Sequence, residues 1–411
     1  VEPHYLVKLG ERLENGDDHR HDMLMQQEYQ EPMDASKQFC PNAACPARGQ
    51  RGQGNIRIHD RKRQRYRCTV CKQTFSQRRG TMFEGLRKPM ELIIIVVTLL
   101  AYGCPVQAIV HAFGLDERTV ASWRDRAGAQ GEQVHQALVA TGKLDLVHVQ
   151  ADEIRVKGRN LIAWMGLAMM VSTRLWLAGT VQVSRDKGLA DALMQQVRRC
   201  AASWRPLLVL TDGWAPYPGS IERAFRDKVK ETIGVGRACL CVWPELHIGT
   251  VIKRTESKRV VEITRKMARG LLEQAEKLLQ LSGGGSVLNT AFIERLNGTF
   301  RERLASLTRK SRHAASRLQA LHTGMYLIGC TYNFCFAHHE LSKARHVGSP
   351  CTPAMAAGLT DHVWSVGELL SYRIPPLPWV PPKRPHRRSI EQDGSIRPRL
   401  RLRKGVLCST R

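Results

Sequence analysis

The sequence contains no long hydrophobic run. Its most apolar stretch, Leu92 to Ala101, covers ten positions. A helix needs roughly 20 apolar residues to cross a bilayer, so we predict no transmembrane helix and no membrane partner. The first 34 residues also lack the basic and then apolar order of a secretory signal. These two absences predict a cytoplasmic protein, associated with the nucleoid if the cell is bacterial.

Acidic residues and cysteines are both scarce. The 411 residues contain 37 Asp and Glu against 63 Lys and Arg, a formal net charge of +26. Such an excess of positive charge favours a polyanionic partner, most often nucleic acid. The 12 cysteines are too dilute for a secreted scaffold held together by disulfides. Close pairs of cysteines therefore indicate metal ligands first.

The length and composition indicate a folded protein of several domains. At about 100 to 200 residues per domain, the chain predicts two to four of them. Hydrophobic residues make up 43% of the sequence, enough to build cores, and no repeat of solenoid period is present. Local composition predicts a polar leader at residues 1–36, a compact basic segment at 37–82, a helical segment at 87–130, a mixed strand and helix region at 144–345, and an extension with a basic tail at 346–411.

Two cysteine pairs define the compact basic segment. Cys40 and Cys45 are separated by four residues, Cys68 and Cys71 by two, and 22 residues lie between the pairs. This spacing lets two turns present four thiolates to one Zn²⁺. Because the segment has few apolar residues, metal binding would supply much of its folding free energy. We predict a zinc ribbon at residues 37–82, against the alternative of four unliganded cysteines.

The stretch between the pairs is dense in positive charge. We predict that Arg61, Arg63 and Arg65 lie along nucleic-acid phosphates, next to the aromatic ring of Tyr66. A basic hairpin that only faces solvent is the alternative.

The next segment has the pattern of a helix-turn-helix. A helix at Met90 to Tyr102 is followed by a break, a short helix at Val106 to Phe113 that ends at Gly114, and a second helix at Asp116 to Arg126. In a helix-turn-helix the second of the paired helices enters the major groove of DNA. A plain helical hairpin would give the same periodicity. The predicted DNA contacts on the second helix are Arg118, Thr119, Ser122 and Arg124.

From residue 144 onward the pattern predicts a β-β-β-α-β order. Three strands form a meander, a helix carries Leu189, Leu193 and Val197 on one face, and a further strand ends at Asp212. Lys258 to Leu281 is predicted as one charged helix, and the helix that carries Glu294 follows a glycine-rich connector.

Three carboxylates stand out because of their positions. Asp152 and Asp212 each end an apolar strand, and Glu294 lies at the start of a helix with an apolar face. A charge at the edge of a core needs water, a partner cation or a metal ion. If the two strands are neighbours, both aspartates face one cleft, and a packed helix brings the glutamate to its rim. Oxygen ligands of this kind suit Mg²⁺ or Mn²⁺.

Two such ions about 4 Å apart would activate a water or a DNA 3′-hydroxyl for in-line displacement at phosphorus. Glu153 is ranked second for the first position, since alternate residues of a strand point to opposite faces. Glu302 is the second choice for the third position.

Several segments resemble one family. They are Val149-Gln150-Ala151-Asp152-Glu153, Leu210-Thr211-Asp212-Gly213, and Ile293-Glu294-Arg295-Leu296-Asn297, followed by Tyr332-Asn333 and His338. These resemble the DDE transposases of bacterial insertion sequences, in the group with an N-terminal zinc ribbon and helix-turn-helix. The resemblance covers roughly residues 38–365.

The resemblance implies an α/β fold with a ribonuclease H-like mixed sheet flanked by helices. It implies that Asp152, Asp212 and Glu294 bind two Mg²⁺ or Mn²⁺ ions. It further implies that four residues of one helix contact DNA near the scissile phosphate: Arg295, Asn297, Arg301 and Arg303.

The expected function is therefore that of a transposase. It would bind the terminal inverted repeats of its element, hydrolyse phosphodiester bonds and transfer strands to target DNA, as a homo-oligomer on double-stranded DNA. Two alternatives stay open: a catalytically inactive DNA-binding regulator, and a ribonuclease H-like nuclease that cuts without joining.

Overall fold

The computed structural model describes residues 33–158, 161–229, 238–257, 259–307, 317–344 and 349–381. It has a mixed α/β architecture, with a six-stranded mixed sheet flanked by helices. Nearly all of the predicted polar leader and the basic end of the predicted tail lie outside the described residues. Within the described ranges, no helix has both the length and the apolar character needed to cross a membrane.

The N-terminal sheet is small and antiparallel. Its core contains Cys40, Cys45, Tyr66 and Phe75, and the two rings lie with their centroids 5.9 Å apart. Few other apolar side chains take part. The strands of the N-terminal sheet are β1 (Ile56–Asp60), β2 (Arg65–Cys68) and β3 (Thr74–Ser76).

Three helices follow and share one apolar core. Gly114 ends the second helix in the left-handed conformation, with φ 59°. The Asp116 carboxylate caps the third helix by accepting hydrogen bonds from the backbone N–H groups of Arg118 and Thr119. These helices are α1 (Met90–Ala101), α2 (Val106–Phe113) and α3 (Glu117–Leu138).

The third helix is three turns longer than predicted, because its second half packs on a C-terminal helix. Gly128 is the point of closest approach: a Cβ atom there would lie 2.1 Å from the carbonyl oxygen of Thr323. This glycine lowers helix propensity locally, but it lets the two backbones pack closely.

The predicted β-β-β-α-β order is confirmed. Strand β4 pairs antiparallel with β5, β5 pairs antiparallel with β6, and β7 lies on the other side of β4, parallel to it. The first and fourth strands are therefore neighbours, which is the condition under which Asp152 and Asp212 can face one cleft. The elements are β4 (Val147–Lys157), β5 (Ile162–Met170), β6 (Trp176–Gln182), α4 (Lys187–Cys200) and β7 (Leu207–Asp212).

Beyond β7 the large sheet continues with β10, parallel to β7, and then β11, antiparallel to β10. Its full order is β11-β10-β7-β4-β5-β6. The remaining elements are α5 (Pro216–Ala224), β8 (Arg226–Val229), β9 (Cys239–Val242), β10 (Leu246–Glu256), β11 (Arg259–Arg269), α6 (Leu272–Leu281), α7 (Ala291–Arg303), α8 (Leu318–Phe334), α9 (His339–Lys343), α10 (Pro353–Ala356) and α11 (Val366–Ser371).

The predicted charged helix from Lys258 to Leu281 is wrong in its first half. Residues Arg259–Arg269 form β11, and only Leu272–Leu281 is helical. The β-branched residues of this strand favour extended backbone, and pairing with β10 supplies its backbone hydrogen bonds. Tertiary pairing thus overrode the helix-like distribution of charge.

Helices cover both faces of the large sheet. Leu207 and Val209 of β7 join the main core, whereas the alternate residues Leu208 and Leu210 pack in a second cluster with α6. On the main side, α8 lies very close to β6. The side chain of Asn333 accepts a hydrogen bond from the backbone N–H of Trp176 at 2.9 Å and donates one to its carbonyl at 2.8 Å. These bonds fix the C-terminal end of α8 against the sheet.

Candidate metal centres and nucleic-acid interface

The four predicted cysteines meet at one point, and together we call them the four-cysteine cluster. Their sulfur atoms all lie within 4.8 Å of one another. Cys40 Sγ is 3.6 Å from Cys71 Sγ, and Cys45 Sγ is 3.9 Å from Cys68 Sγ. In a tetrahedral site with Zn–S bonds of about 2.3 Å, neighbouring sulfurs lie about 3.8 Å apart. The cluster therefore has the geometry to hold one metal ion.

Local turns shape this cluster. The Cys40 carbonyl accepts a hydrogen bond from the Gly49 N–H, and the Cys45 carbonyl accepts one from the Arg48 N–H. Burial raises the pKa of both Cys40 and Cys45. Burial also raises the pKa of Cys71, but hydrogen bonds to its sulfur, led by the Gln73 N–H, outweigh it and bring the pKa to about 7. One thiolate is thus available near neutral pH, and a bound cation would stabilise the others.

The second candidate centre lies where the pairing of β4 with β7 ends. Strand β7 ends at Asp212, but β4 continues to Lys157, so the prediction that Asp152 ends its strand is wrong. The last paired residues are Ala151 and Thr211, so Asp152 and Asp212 follow on adjacent strands. Carboxylate oxygens of Asp152, Glu153 and Asp212 lie within 4.8 Å of one another. We call these three residues the acidic cluster, and it could hold a metal ion. The predicted convergence of the two aspartates is present.

Glu153 belongs to this cluster, although strand alternation points it away from Asp152. Its side chain is only 2% exposed. Beyond Ala151, β7 no longer pairs with this edge of β4, which leaves room for the Glu153 side chain next to Asp212. The Tyr217 hydroxyl donates a hydrogen bond to one Glu153 oxygen at 2.9 Å, and the Arg185 guanidinium binds the other. These two bonds hold the longer side chain beside Asp212.

Arg185 is the cation already present among these carboxylates. Besides Glu153 it contacts Asp212, with 3.5 Å between Nη2 and Oδ2. Its guanidinium lies 4.6 Å from the ring centroid of Trp214, whose backbone N–H donates to Asp212. Arg185 therefore offsets part of the negative charge that the strand ends concentrate here.

Glu294 stands at the rim rather than inside the cluster. Its carboxylate is 46% exposed, accepts a hydrogen bond from the Thr290 hydroxyl at 2.7 Å and pairs with Lys253 of β10. It is still close enough to raise the pKa of Asp152 by charge repulsion. Glu302, the second choice for this position, is exposed and outside the acidic cluster.

Two side-chain amides dock α7 on β4. The Gln150 Oε1 atom accepts hydrogen bonds from the backbone N–H groups of Phe292 and Ile293, at 3.1 and 3.0 Å. A fully buried residue of the sheet thereby caps the first turn of α7. One turn after Glu294, Asn297 donates from Nδ2 to Asp152 Oδ2 at 2.8 Å. These bonds fix where α7 presents its carboxylate.

Burial and mutual repulsion disfavour the ionised form of these carboxylates, and a bound cation would offset both effects. Burial raises the pKa of Asp152 to about 6, and repulsion from Asp212 and Glu294 adds to the shift. Burial raises the pKa of Glu153 to about 7, and Asp212 adds to this while Arg185 opposes it. Crowded carboxylates with raised pKa values are what a divalent cation stabilises in their ionised form.

The predicted phosphate contacts of the N-terminal sheet differ in accessibility. Arg61 and Arg63 are exposed at the β1–β2 turn. Arg65 is half-buried, and its Nη2 atom donates to the Thr74 hydroxyl at 2.7 Å. Arg57 and Arg67, paired across β1 and β2, add two more exposed cations to the same face.

The predicted DNA contacts on α3 also differ in how accessible they are. Arg118 and Ser122 are exposed and Thr119 is half-buried, all in the first turns of the helix. Arg124 is engaged by Asp125, with 2.9 Å between Nη2 and Oδ1.

The four predicted contacts on α7 have different environments. Arg295 and Arg301 are exposed, and Arg301 lowers the pKa of Asp152, which places it near the carboxylates. Arg303 is half-buried, with its guanidinium 4.0 Å from the Phe336 ring centroid. Asn297 is 1% exposed and binds Asp152, so its amide positions that carboxylate.

Sequence reasoning missed Arg185, Tyr217, Lys253 and Gln150 as residues of this site. Gln150 had one detectable signal, because a polar residue two positions before Asp152 interrupts an otherwise apolar strand. The other three come from elements whose packing the sequence pattern does not reveal. Comparison with known proteins adds no further assignment: no family model matches the chain, and no curated protein matches it either.

Proposed function

We propose that this protein is a DNA transposase of an insertion sequence. It binds the terminal inverted repeats of its element and carries out Mg²⁺-dependent phosphodiester hydrolysis and strand transfer. The observation that carries this proposal is the meeting of Asp152, Glu153 and Asp212 at the point where the parallel pairing of β4 and β7 ends, with Glu294 on the neighbouring helix α7.

The strand order supports a ribonuclease H-like core. Read from one edge, β6, β5 and β4 form an antiparallel meander, and β7 and β10 follow parallel to β4. This is the arrangement of the ribonuclease H-like sheets that the sequence resemblance implies, with β11 added at the edge. Such open sheets bind ligands at the carboxyl ends of their strands. Asp212 lies at the carboxyl end of β7, and Asp152 lies beside it on β4.

The residues around the cluster suit phosphoryl chemistry. Bound Mg²⁺ would supply a nucleophilic water or 3′-hydroxyl at neutral pH and stabilise charge on the leaving oxygen. Asn297 orients Asp152, and Tyr217 orients Glu153 through the hydrogen bonds described above. Arg301 adds a positive charge on the side of α7 that faces the carboxylates, where a DNA phosphate would approach.

The N-terminal part supplies DNA binding in this proposal. The four-cysteine cluster binds Zn²⁺ and holds the exposed arginines of β1 and β2 in a fixed array. The short helix α2, the left-handed Gly114 and the capped start of α3 support the helix-turn-helix that the sequence predicts. Two element ends must be held together for strand transfer, so the active form is an oligomer.

A strand-transfer assay tests this function. A labelled duplex, selected by the protein from a random-sequence pool, is incubated with the full chain, Mg²⁺ and supercoiled plasmid. We expect labelled plasmid products, because joining the cut end to target DNA distinguishes transposition from nuclease activity. Asp152→Asn should bind the duplex but give no joined product.

The two other candidate functions give different outcomes in the same assay. Cut duplex without labelled plasmid would identify a nuclease, and duplex binding with neither product would identify a regulator. Either result contradicts the transposase proposal.

A further inference from the structure

A cavity of about 180 Å³ lies on the other side of α7 from the acidic cluster. Because 10–15 Å³ in the same measure already holds one water, it has ample room for a phosphate group and its hydration. We call it the arginine pocket. It is lined from β5, the turn before β6, α7 and the C-terminal end of α8, and its charged or aromatic lining residues include Arg174, Arg295, Arg303, Tyr332, Phe336 and His338.

The charge in this pocket is unbalanced. Three guanidinium groups line it, and its described lining contains no carboxylate. Burial lowers the pKa of Arg174, and the neighbouring charge of Arg295 lowers it further. Glu340, whose charge acts on Arg174, and Glu302, whose charge acts on Arg303, both lie outside the lining. Glu340 is hydrogen-bonded to His339. Placing like charges around a partly buried cavity costs free energy unless an anion offsets them.

Packing holds the cations in place. The Arg174 guanidinium lies 4.0 Å from the Phe292 ring centroid, and the Arg303 guanidinium lies the same distance from the Phe336 ring. Among the described residues, Arg303 Nη1 and His338 Nδ1 are buried nitrogens with no hydrogen-bond partner. Buried polar atoms are nearly always paired in folded proteins, so these two indicate a missing ligand.

The pocket and the acidic cluster use different faces of one helix. Glu294, Asn297 and Arg301 are spaced three and four residues apart and lie on the carboxylate side of α7. Arg295 and Arg303, with Thr299 between them, repeat every four residues and line the pocket. The buried stripe of Ile293, Leu296 and Phe300 runs between the two faces.

We propose that the arginine pocket binds one backbone phosphate of DNA, at a position separate from the phosphate that is cut at the acidic cluster. Arg174 and Arg303 present planar donors that suit the paired oxygens of a phosphate, and His338 completes the set with its free nitrogen. The choice of DNA as the source of the phosphate rests on the proposed function. The helix α7 would then contact the DNA strand from two of its faces and fix the position of the strand at the acidic cluster.

The first test asks whether the pocket binds phosphate at all. Thermal unfolding of the full chain is followed in millimolar inorganic phosphate and in chloride of equal ionic strength. We expect a saturable rise in Tm with phosphate, lost in Arg174→Gln and in Arg303→Gln. Arg226→Gln removes the same charge from the exposed strand β8 and should keep the rise. A rise of equal size in all four proteins overturns the proposal.

The second test asks whether the phosphate belongs to DNA. The affinity for a duplex is measured at several salt concentrations without divalent ions. One lost phosphate contact reduces the slope of log K against log salt by about 1. We expect this reduction in Arg174→Gln and Arg303→Gln, partial recovery in Arg174→Lys, and no change in Arg226→Gln.

An unchanged slope in the pocket variants would overturn the assignment to DNA, even if inorganic phosphate stabilises the protein. Neither test involves cleavage. Failure of the strand-transfer assay would therefore contradict the transposase proposal without changing the interpretation of these two binding tests.

Discussion

The four-cysteine cluster and the acidic cluster are both candidate metal centres, but they are built in opposite ways. Four sulfur atoms close the first from every side, and the small N-terminal sheet around it has few apolar side chains. The second uses hard oxygen ligands where the pairing of β4 with β7 ends, in a sheet with an extensive core. The first has the features of a structural site, the second those of a reactive one.

The difference concerns what metal does for each part of the chain. Around the cysteines, a bound metal ion would take the place of a hydrophobic core, and we expect folding to depend on it. Around the carboxylates, the core already fixes the ligands, and Arg185 offsets part of their charge. Removing metal should therefore unfold the first region and only inactivate the second.

Loss of one cysteine ligand should have the largest effect. We expect Cys68→Ser to lower the zinc content from about one per chain to none and to unfold the N-terminal sheet, because zinc binding supplies about 10 kcal/mol or more in small metal-dependent domains. Metal analysis and limited proteolysis measure both effects. Cys104→Ser, outside the cluster, is the control. Retention of zinc in Cys68→Ser would contradict the assignment of this cluster as a zinc site.

Asp152→Asn should produce the next largest effect. We expect DNA cleavage to fall by at least about 10³-fold, because metal ligation stabilises the transition state by several kcal/mol. DNA affinity and zinc content should not change. Asp145→Asn, an exposed aspartate ahead of β4, is the matched control. If both variants cleave DNA as well as the wild type, the acidic cluster is not the catalytic centre.

Gln150→Leu should have an intermediate effect. It leaves the N–H groups of Phe292 and Ile293 without their acceptor and so loosens the helix that carries Glu294. We expect cleavage to fall by about 10 to 100-fold, since small misplacements of reacting groups have costs of this size. Gln182→Leu, at the end of β6, serves as the control. Equal cleavage rates in both variants would show that this cap does not position α7 for catalysis.

The smallest expected effect is on stability as a function of pH. Because the pKa of Glu153 is raised to about 7 in the folded protein from 4.5, the folded state holds this proton more tightly than the unfolded state. Stability of the zinc-loaded protein without Mg²⁺ should therefore fall as pH rises from about 4.5 to 7, by on the order of 3 kcal/mol from this group.

Glu153→Gln, which resembles the protonated form, isolates this contribution. Thermal unfolding should show wild type and variant alike near pH 4 and the variant more stable near pH 8. Mg²⁺ should reduce the gap at pH 8 by stabilising the ionised wild-type carboxylate. A constant difference across this range would contradict the raised pKa.

Much of this fold could be predicted because local patterns agreed with the tertiary structure. The apolar run that ends at Asp212 predicts a strand, and the four-residue spacing of the apolar residues in α4 predicts a helix. Both signals can be detected without knowing the rest of the chain. Arg259–Arg269 was different, since its charges suggested a helix and only pairing with β10 made it a strand.

The candidate site was predictable where a residue's position along its own element decided its place. Asp212 ends β7 as predicted, whereas Asp152 lies in the middle of β4 and reaches the site because the pairing with β7 stops beside it. Glu153 belongs to the site because β7 ends before β4 does and because Tyr217, 64 residues away, donates a hydrogen bond to its carboxylate. Gln150 and Arg185 also act through partners far along the chain, 142 residues away for Phe292 and 32 for Glu153, which a single sequence does not specify.

Binding of Mn²⁺ to the full zinc-loaded chain, titrated on a short DNA duplex and followed by electron paramagnetic resonance, tests the proposed metal chemistry most directly. We predict two equivalents in wild type and in Asp145→Asn, and loss of both in Asp152→Asn and Asp212→Asn. Equal Mn²⁺ binding in all four proteins, or none in the wild type, would contradict a metal-dependent role for these carboxylates.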